Sequence, residues 1–202
     1  MIQCLTSGFS ASDIDQAVQI QLKEIDQGFL SSLGDKPLRL IFHHIVDSRY
    51  GIMVLAKDNA SNRVVGYALG TLSSGKLYKD FIFKKLPYAL IYFLPKLLSF
   101  HRMKKALETL IYPAKQQSNL PNAELLDLAV DSTHQGKGVA EDLFRHLEKE
   151  FNKRDISTFQ IPTGASLKGA HKFYEKMGAQ KSSSFQLHSG EETLIYVYEK
   201  AS

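Results

Sequence analysis

The chain has 202 residues, 44% of them hydrophobic, which is enough to bury the core of one sizeable domain. Its single cysteine, Cys4, excludes a disulfide framework and a metal site built on cysteine pairs, so we expect no metal and a reducing, cytoplasmic compartment. A net charge of +4 is too small to indicate a nucleic-acid partner. We expect neither a secretory signal nor a membrane span, because no uncharged apolar run approaches roughly 18 residues.

The first third of the chain is predicted to form a strand, two helices and a hairpin, over residues 2–5, 10–26, 35–48, and 51–57 with 63–72. Ser10 or Ser12 is placed to cap the first helix. Pro37 falls in the first turn of the second helix, where its missing N–H costs nothing.

A basic segment follows, over residues 73–120. It carries nine Lys and Arg residues against only Asp80 and Glu108, whereas the rest of the chain is slightly acidic. It is predicted to be helical from Lys76 to about Lys115, with interruptions at prolines. The change in charge marks it as an inserted unit.

The remaining elements are predicted to be a strand, a helix, a strand, a helix and an antiparallel pair of strands, over 123–130, 139–151, 156–162, 166–178, and 183–188 with 193–200. The first of these helices has a single apolar face, formed by Ala140, Leu143, Phe144, Leu147 and Phe151.

A loop of two closely spaced glycines, "THQGKGVAEDLF" over residues 133–144, precedes that helix. Gly136 and Gly138 let backbone N–H groups face an anion at a helix N-terminus, which carries about half a positive charge. An ordinary glycine turn is the alternative. The spacing excludes a P-loop, since Gly138 follows Lys137, and a dinucleotide fingerprint, since the third glycine position is Glu141.

The pattern Gln135-x-x-Gly138-x-Ala140, directly after a strand ending "LDLAVD", resembles the acyl-CoA pyrophosphate loop of the GNAT superfamily of N-acetyltransferases. The stretch "AHKFYEKMGA", residues 170–179, is similar to a second motif of that superfamily. The resemblance is specific over 122–180 and compatible over 1–72.

The resemblance implies one α+β domain over 1–202, with a mixed, mostly antiparallel central sheet flanked by helices and a helical insertion between the third and fourth strands. It implies acetyl-CoA as the co-substrate. It also implies contacts to acetyl-CoA from two backbone segments. At a strand edge, Leu128 and Val130 would bond to the pantetheine amides, and an N–H near Ala129 would polarise the thioester. In a loop, the pyrophosphate would be bound by Gln135, Gly136, Lys137, Gly138, Val139 and Ala140. Many members carry Asn where this chain has Leu167, so the resemblance implies either that a polar contact to the pantetheine arm is missing or that Ser166 replaces it.

Three side chains are the candidate catalytic groups. The resemblance places Tyr174 at the thioester sulfur, where it would protonate the leaving thiolate, although an apolar stripe from Leu167 to Met177 also suits a core tyrosine. Glu124 and Asp127 are alternative bases, with Glu124 narrowly preferred and water as a further option. Unbroken alternation would place the two carboxylates on opposite faces, and a bulge would re-aim one of them.

The predicted function is transfer of an acetyl group from acetyl-CoA to a primary amine of a small-molecule acceptor, by direct attack in a ternary complex. The alternatives are a non-catalytic acyl-CoA sensor or scaffold and a peripheral membrane protein acting on a lipid-linked acceptor. For the basic segment, a lid over the acceptor ranks first, a structural or homodimer contact second, and a membrane surface third. The sequence does not identify the acceptor.

Overall fold

The computed structural model describes residues 1–25, 31, 34–97, 120–186 and 192–200. The strands are β1 Ile2–Leu5, β2 Gly51–Asp58, β3 Arg63–Thr71, β4 Glu124–Val130, β5 Thr158–Gly164, β6 Gln180–Gln186 and β7 Glu192–Glu199. The helices are α1 Ala11–Glu24, α2 Asp35–Asp47, α3 Ser74–Leu97, α4 Val139–Asn152 and α5 Lys168–Lys176, and a 3₁₀ turn covers Ser132–His134. Ser10, one of the two predicted caps, accepts a hydrogen bond from the Asp13 N–H and caps α1.

The seven strands form one sheet in the order β1-β2-β3-β4-β5-β7-β6. Every neighbouring pair is antiparallel except β4 with β5, so the predicted mixed, mostly antiparallel sheet is confirmed. Strands β4 and β5 pair at a single position, Glu124 with Gln160. Beyond that position the two strands separate, and a gap opens between their carboxyl ends.

Helices cover both faces of the sheet, and each face has its own core. Helices α1 and α2 pack on one face, where Phe42 meets the ring of Tyr67 edge-on at 5.3 Å. Helices α4 and α5 pack on the other, where Phe151 stacks on Phe159 with 4.7 Å between ring centroids. The predicted apolar face of α4 is confirmed, since its four large members are fully buried and Ala140 is half-buried.

The insertion begins with α3, which lies between β3 and β4 as expected. It runs through Pro87 and Pro95, because a proline removes one helical hydrogen bond and kinks a helix without always ending it. The α3 carboxylate of Asp80 accepts a 2.9 Å hydrogen bond from Ser48 Oγ and lies 3.5 Å from His44 Nε2. These contacts anchor α3 on the end of α2. Residues 98–119 of the basic segment, which include the rest of the predicted helix, lie outside the described residues.

Within the described ranges, no helix has both the length and the apolar character that crossing a bilayer requires.

Helix α4 crosses the sheet over Gly70, which leaves no room for a side chain. A Cβ atom there would lie 2.8 Å from Leu147 Cδ1 and 2.9 Å from Phe151 Cζ. Both contacts are with fully buried side chains of the core, which have little freedom to move.

We therefore expect Gly70→Ala to lower the free energy of unfolding by about 1–3 kcal/mol through overpacking. Urea denaturation measures the change. Gly169→Ala is the matched control, because a Cβ at this helical glycine meets nothing within 4 Å. The control is expected to be at least as stable as the native protein, because alanine is a better helix former than glycine. Equal stability of the two variants would contradict the close approach of α4.

Candidate active site

A β-bulge in β4 decides where its two carboxylates point. Leu69 pairs with Asp127 and Gly70 with Leu125, so Leu126 is an extra residue without a partner on β3. Thr71 pairs with Glu124, and cross-strand partners share a face of the sheet. Glu124 and Asp127 therefore lie on the same face, the one covered by α1 and α2. The bulge expected from the resemblance is present, and the alternative of opposite faces is wrong.

Glu124 sits at the start of the gap between β4 and β5, and it is almost fully buried. Its Oε2 accepts a 2.5 Å hydrogen bond from Ser74 Oγ, at the first residue of α3, and lies 3.5 Å from Gln160 Nε2. Burial raises the pKa of Glu124 to about 7, and the hydrogen bond from Ser74 opposes that rise only in part. The carboxyl group is thus close to half-ionised at neutral pH.

Asp127 lies further along β4 and is half-buried. Its Oδ2 accepts a 2.9 Å hydrogen bond from the hydroxyl of Tyr67, a fully buried residue of β3. Burial raises the pKa of Asp127 to about 6, against the lowering effect of hydrogen bonds from Tyr67, the Leu128 N–H and Gln21. The second carboxyl group is therefore mostly ionised at neutral pH.

Tyr174 reaches this region from α5, across the gap from β4. Only 7% of it is exposed, and it packs against Phe173 and Tyr196 at centroid distances of 5.3 and 6.3 Å. Burial, and next the Asp127 carboxylate, raise the pKa of its hydroxyl well above the usual value, so the phenol keeps its proton at neutral pH. The side chain is therefore part of the core, and its protonated hydroxyl lies within the electrostatic influence of Asp127.

The free edge of β4 lines the gap. The Asp131 N–H donates to Val65 O on β3 at 2.9 Å, so strict alternation turns the backbone groups of Leu128 and Val130 away from β3 and toward the gap. Gln135 Nε2 donates to the Val130 carbonyl at 2.9 Å, in agreement with that direction. The same alternation directs the Ala129 N–H to β3, whereas the Leu128 N–H bonds to the Asp127 carboxylate. An N–H near Ala129 that polarises the thioester stays a prediction.

The glycine loop has the geometry of an anion site. Gly136 and Gly138 have φ angles of 71° and 83°, and a Cβ at either would meet nothing within 4 Å. No N–H group of residues 135–140 donates to another backbone group among the described residues. Several donors thus face open space at the N-terminus of α4, where the helix dipole favours negative charge. The loop therefore fits the pyrophosphate of acetyl-CoA.

The end of α1 contacts the residues just before the glycine loop. Lys23 Nζ lies 2.9 Å from Asp131 Oδ2, and the Ser132 N–H donates to Glu24 Oε1 at 3.0 Å. The ammonium group of Lys137 folds back onto the Thr133 carbonyl at 2.8 Å. Lys137 is exposed, so it is placed to exchange this contact for a phosphate.

Ser166 and Leu167 lie at the turn between β5 and α5. Both are exposed, Leu167 by 53%, and Leu167 gives α5 no side-chain cap. Leu167 therefore does not belong to the buried stripe of α5 that its spacing predicts. A contact from Ser166 to the pantetheine arm stays a prediction.

Three polar residues of the site were missed by sequence reasoning: Ser74, Gln160 and Tyr67. Each contacts a carboxylate of β4 from an element distant in sequence, so no local motif marks it. For Gln160 one signal was present, since a buried strand that reads "FQIP" places an amide among apolar residues. In the part of the chain that the structure describes, no group of His, Cys, Asp and Glu side chains is arranged to hold a metal ion.

The model of the acetyltransferase (GNAT) family matches residues 20–179 of the chain. The chain belongs to the GNAT family. No protein of curated function matches it in sequence.

Solved GNAT structures share the fold along most of their length. An N-acetyltransferase of Staphylococcus aureus superposes with a TM-score of 0.61 at 12% identity, covering 98% of both chains. NAA60 of Arabidopsis thaliana, in complex with acetyl-CoA, gives 0.60 at 15% identity, again covering 98% of each chain. The ribosomal-protein alanine N-acetyltransferase of Escherichia coli gives 0.53 at 14%, covering 98% of this chain and 94% of its own. At these identities the likeness shows the fold.

Because a side chain at Gly138 would project into the open space above the loop, Gly138→Asp should weaken acetyl-CoA binding at least about 100-fold by placing a carboxylate where the pyrophosphate binds. Isothermal titration calorimetry with acetyl-CoA measures the affinity. Gly8→Asp is the control, since Gly8 has a similar φ of 75° with nothing within 4 Å of its Cβ. It carries the same backbone strain and should bind normally. Equal affinities would remove the loop from the site.

Proposed function

We propose that the protein transfers an acetyl group from acetyl-CoA to a primary amine of a small-molecule acceptor, by direct attack in a ternary complex. The observation that carries the proposal is the arrangement around the gap in the sheet. Glu124 and Asp127 face one way, the protonated hydroxyl of Tyr174 approaches from α5, and the glycine loop lies at the end of the same strand. A base, an acid and an anion site therefore surround one opening.

The acyl donor is held by the backbone of the chain. The free edge of β4 supplies the groups for the pantetheine amides at Leu128 and Val130, and the loop over 135–140 supplies N–H donors for the pyrophosphate. When bound, acetyl-CoA supplies the thioester. Holding both reactants in one cleft converts a bimolecular reaction into one within a complex, which lowers the barrier by several kcal/mol.

Glu124 is the base in this proposal. Its pKa of about 7 lies near the working pH, which is the best compromise between being ionised and being able to take a proton. The amine nitrogen forms a bond to the thioester carbonyl carbon and gives its proton to Glu124, directly or through a water molecule. The carbon–sulfur bond breaks, and the thiolate takes the proton of Tyr174.

A covalent route through the only cysteine does not fit this arrangement. Cys4 lies on β1, at the edge of the sheet and three strands from β4, which is about 14 Å at the usual strand spacing. Burial, with a smaller effect from Asp142, raises the pKa of its thiol to about 11. The thiol stays protonated at neutral pH and is a poor nucleophile.

The insertion supports the acceptor side of the site. Ser74, the first residue of α3, donates to Glu124, and the pKa of Tyr78 one turn later is raised by burial and by the Glu124 carboxylate. We infer that α3 forms a wall of the acceptor pocket, in agreement with the favoured lid hypothesis.

The proposed function is tested by measuring the release of free thiol from acetyl-CoA in the presence of amines, amino acids, amino sugars and peptides. Tight binding of acetyl-CoA without release of thiol would favour the sensor hypothesis.

Glu124→Gln should lower kcat about 10²-fold or more, because the amide cannot accept the proton. In the native enzyme, kcat/KM should rise with pH through about 7 as the base ionises, whereas the variant should lose that limb. The pH profile is measured with an acceptor whose amine pKa lies well above 7, so that ionisation of Glu124 is separated from deprotonation of the acceptor amine. A variant that retained the limb near pH 7 would assign it to another group.

Glu124→Gln, which should lower activity, should raise the stability of the fold at neutral and higher pH. The pKa of Glu124 is raised on folding, so the folded state keeps a proton that the unfolded chain releases, and stability is lost as pH rises from about 4.5 to about 7. Glu124→Gln removes this loss. Urea denaturation should find the variant at least as stable as the native protein at pH 8, with less advantage at pH 4.5.

Tyr174→Phe should lower kcat about 10²-fold while acetyl-CoA affinity barely changes, because only the proton donor is removed. Tyr196→Phe is the matched control, since it removes a tyrosine hydroxyl that bonds to Glu175, outside the site, at 3.1 Å. Steady-state kinetics and calorimetry measure the two quantities. Full activity in Tyr174→Phe would reduce Tyr174 to core packing.

A further inference from the structure

We propose that the acceptor carries a second cationic group, which Asp127 binds while Glu124 and Gln160 receive the reactive amine. The chemical class is a small diamine whose two nitrogens are separated by a short aliphatic chain. This inference rests on the proposed function and specifies its substrate.

The two carboxylates are spaced for such a molecule. The bulge at Leu126 places Glu124 and Asp127 on one face, opposite Thr71 and Leu69, which are two residues apart on β3. Two residues along a strand correspond to about 7 Å. A single small molecule with a nitrogen at each end can therefore contact both groups at once.

The end at Glu124 contains one acceptor without a donor, the side-chain oxygen of Gln160. Gln160 is fully buried at 0% exposure, and its Oε1 has no hydrogen-bond partner among the described residues. Its amide nitrogen lies 3.5 Å from Glu124 Oε2, so the unpartnered oxygen belongs to a group that is directed at the base. A buried carbonyl oxygen without a donor is unfavourable, and a primary amine has enough N–H groups to reach both Gln160 and Glu124.

The carboxylate of Asp127 has three hydrogen-bond donors, the Tyr67 hydroxyl, the Leu128 N–H and Gln21, and its two oxygens can accept about four. Tyr67 has one hydroxyl proton, yet its oxygen lies within hydrogen-bond distance of two acceptors, Asp127 Oδ2 and Gln21 Oε1. Gln21 is oriented by its amide nitrogen, which donates to Ser31 Oγ at 3.3 Å. One hydroxyl cannot fully satisfy both oxygens, so the carboxylate retains acceptor capacity.

Neither carboxylate has a cationic partner in the described part of the chain. The ion pairs there engage other acidic residues, among them two buried ones: Asp13 pairs with Lys57, and Glu150 pairs with Lys153 and Arg154. Among the described residues, the buried carboxylates other than Glu124 are thus neutralised by a lysine or arginine. At Glu124 and Asp127 the acceptor supplies the positive charge.

Three acceptors with a four-carbon chain test the proposal in the native enzyme: putrescine, butylamine and γ-aminobutyrate. They differ only at the fourth carbon, which carries an ammonium group in putrescine, is a methyl group in butylamine and is a carboxylate in γ-aminobutyrate. We expect kcat/KM for putrescine to exceed that for butylamine about 10-fold or more, and γ-aminobutyrate to be the poorest of the three. Equal values for putrescine and butylamine would overturn the second cation site.

Two variants test which residues bind each nitrogen of the acceptor. Asp127→Asn, which keeps the shape of the side chain and its bond to Tyr67, should reduce the putrescine-to-butylamine ratio to about one. Gln160→Met should raise KM for both amines alike and leave the ratio in place. Asp155→Asn is the control for loss of one negative charge, because Asp155 is exposed and already in the left-handed region that asparagine tolerates, and its ratio should be native.

The outcomes distinguish failure of the diamine inference from failure of the proposed acetyltransferase function. Turnover of both amines with a ratio near one overturns the diamine and leaves the acetyltransferase. Binding of acetyl-CoA without turnover of any amine overturns both. If Asp127→Asn fails to fold by circular dichroism, the comparison of the three acceptors in the native enzyme still decides.

Discussion

The single pairing between Glu124 and Gln160 is the constraint on which the site depends. Had β4 and β5 continued to pair, the backbone groups of Leu128 and Val130 would be consumed by the sheet, and no cleft would exist. Strands that separate leave polar groups that must find other partners. Here Gln135 satisfies the Val130 carbonyl from the loop, so the same side chain closes the end of the strand and fixes the start of the anion site.

The bulge at Leu126 places a second demand on the fold, because it turns two carboxylates toward a covered face. Burial of Glu124 works against stability at neutral pH, and Ser74 relieves only part of that cost. A fold selected for stability alone would place an apolar side chain at this position. This loss of stability occurs beside the opening in the sheet. Carboxyl groups with shifted pKa values cluster at functional sites, so the position of Glu124 connects its burial to a catalytic role.

Local features were predictable from sequence, and contacts between distant segments were not. The periodicity of α4 identified its buried face, and the spacing of Gly136 and Gly138 identified the loop before that helix, because both are properties of neighbouring residues. The extra residue in β4 has no signature in "ELLDLAV", so resemblance suggested a bulge that the sequence itself could not locate. The contact of Ser74 with Glu124 spans 50 positions, and only the folded chain reveals it.

Helix α3 connects two parts of the molecule. Near its start, Ser74 contacts Glu124, and one to two turns later Asp80 is anchored on α2 through Ser48 and His44. The hydrogen bond from Ser74 lowers the pKa of Glu124 against the larger rise that burial causes, so loss of this bond with the burial unchanged would raise that pKa further. The first residue of α3 thus contributes to the ionised fraction of Glu124. Under the proposed function, the insertion that forms the wall of the acceptor pocket therefore also tunes the group that would deprotonate the acceptor.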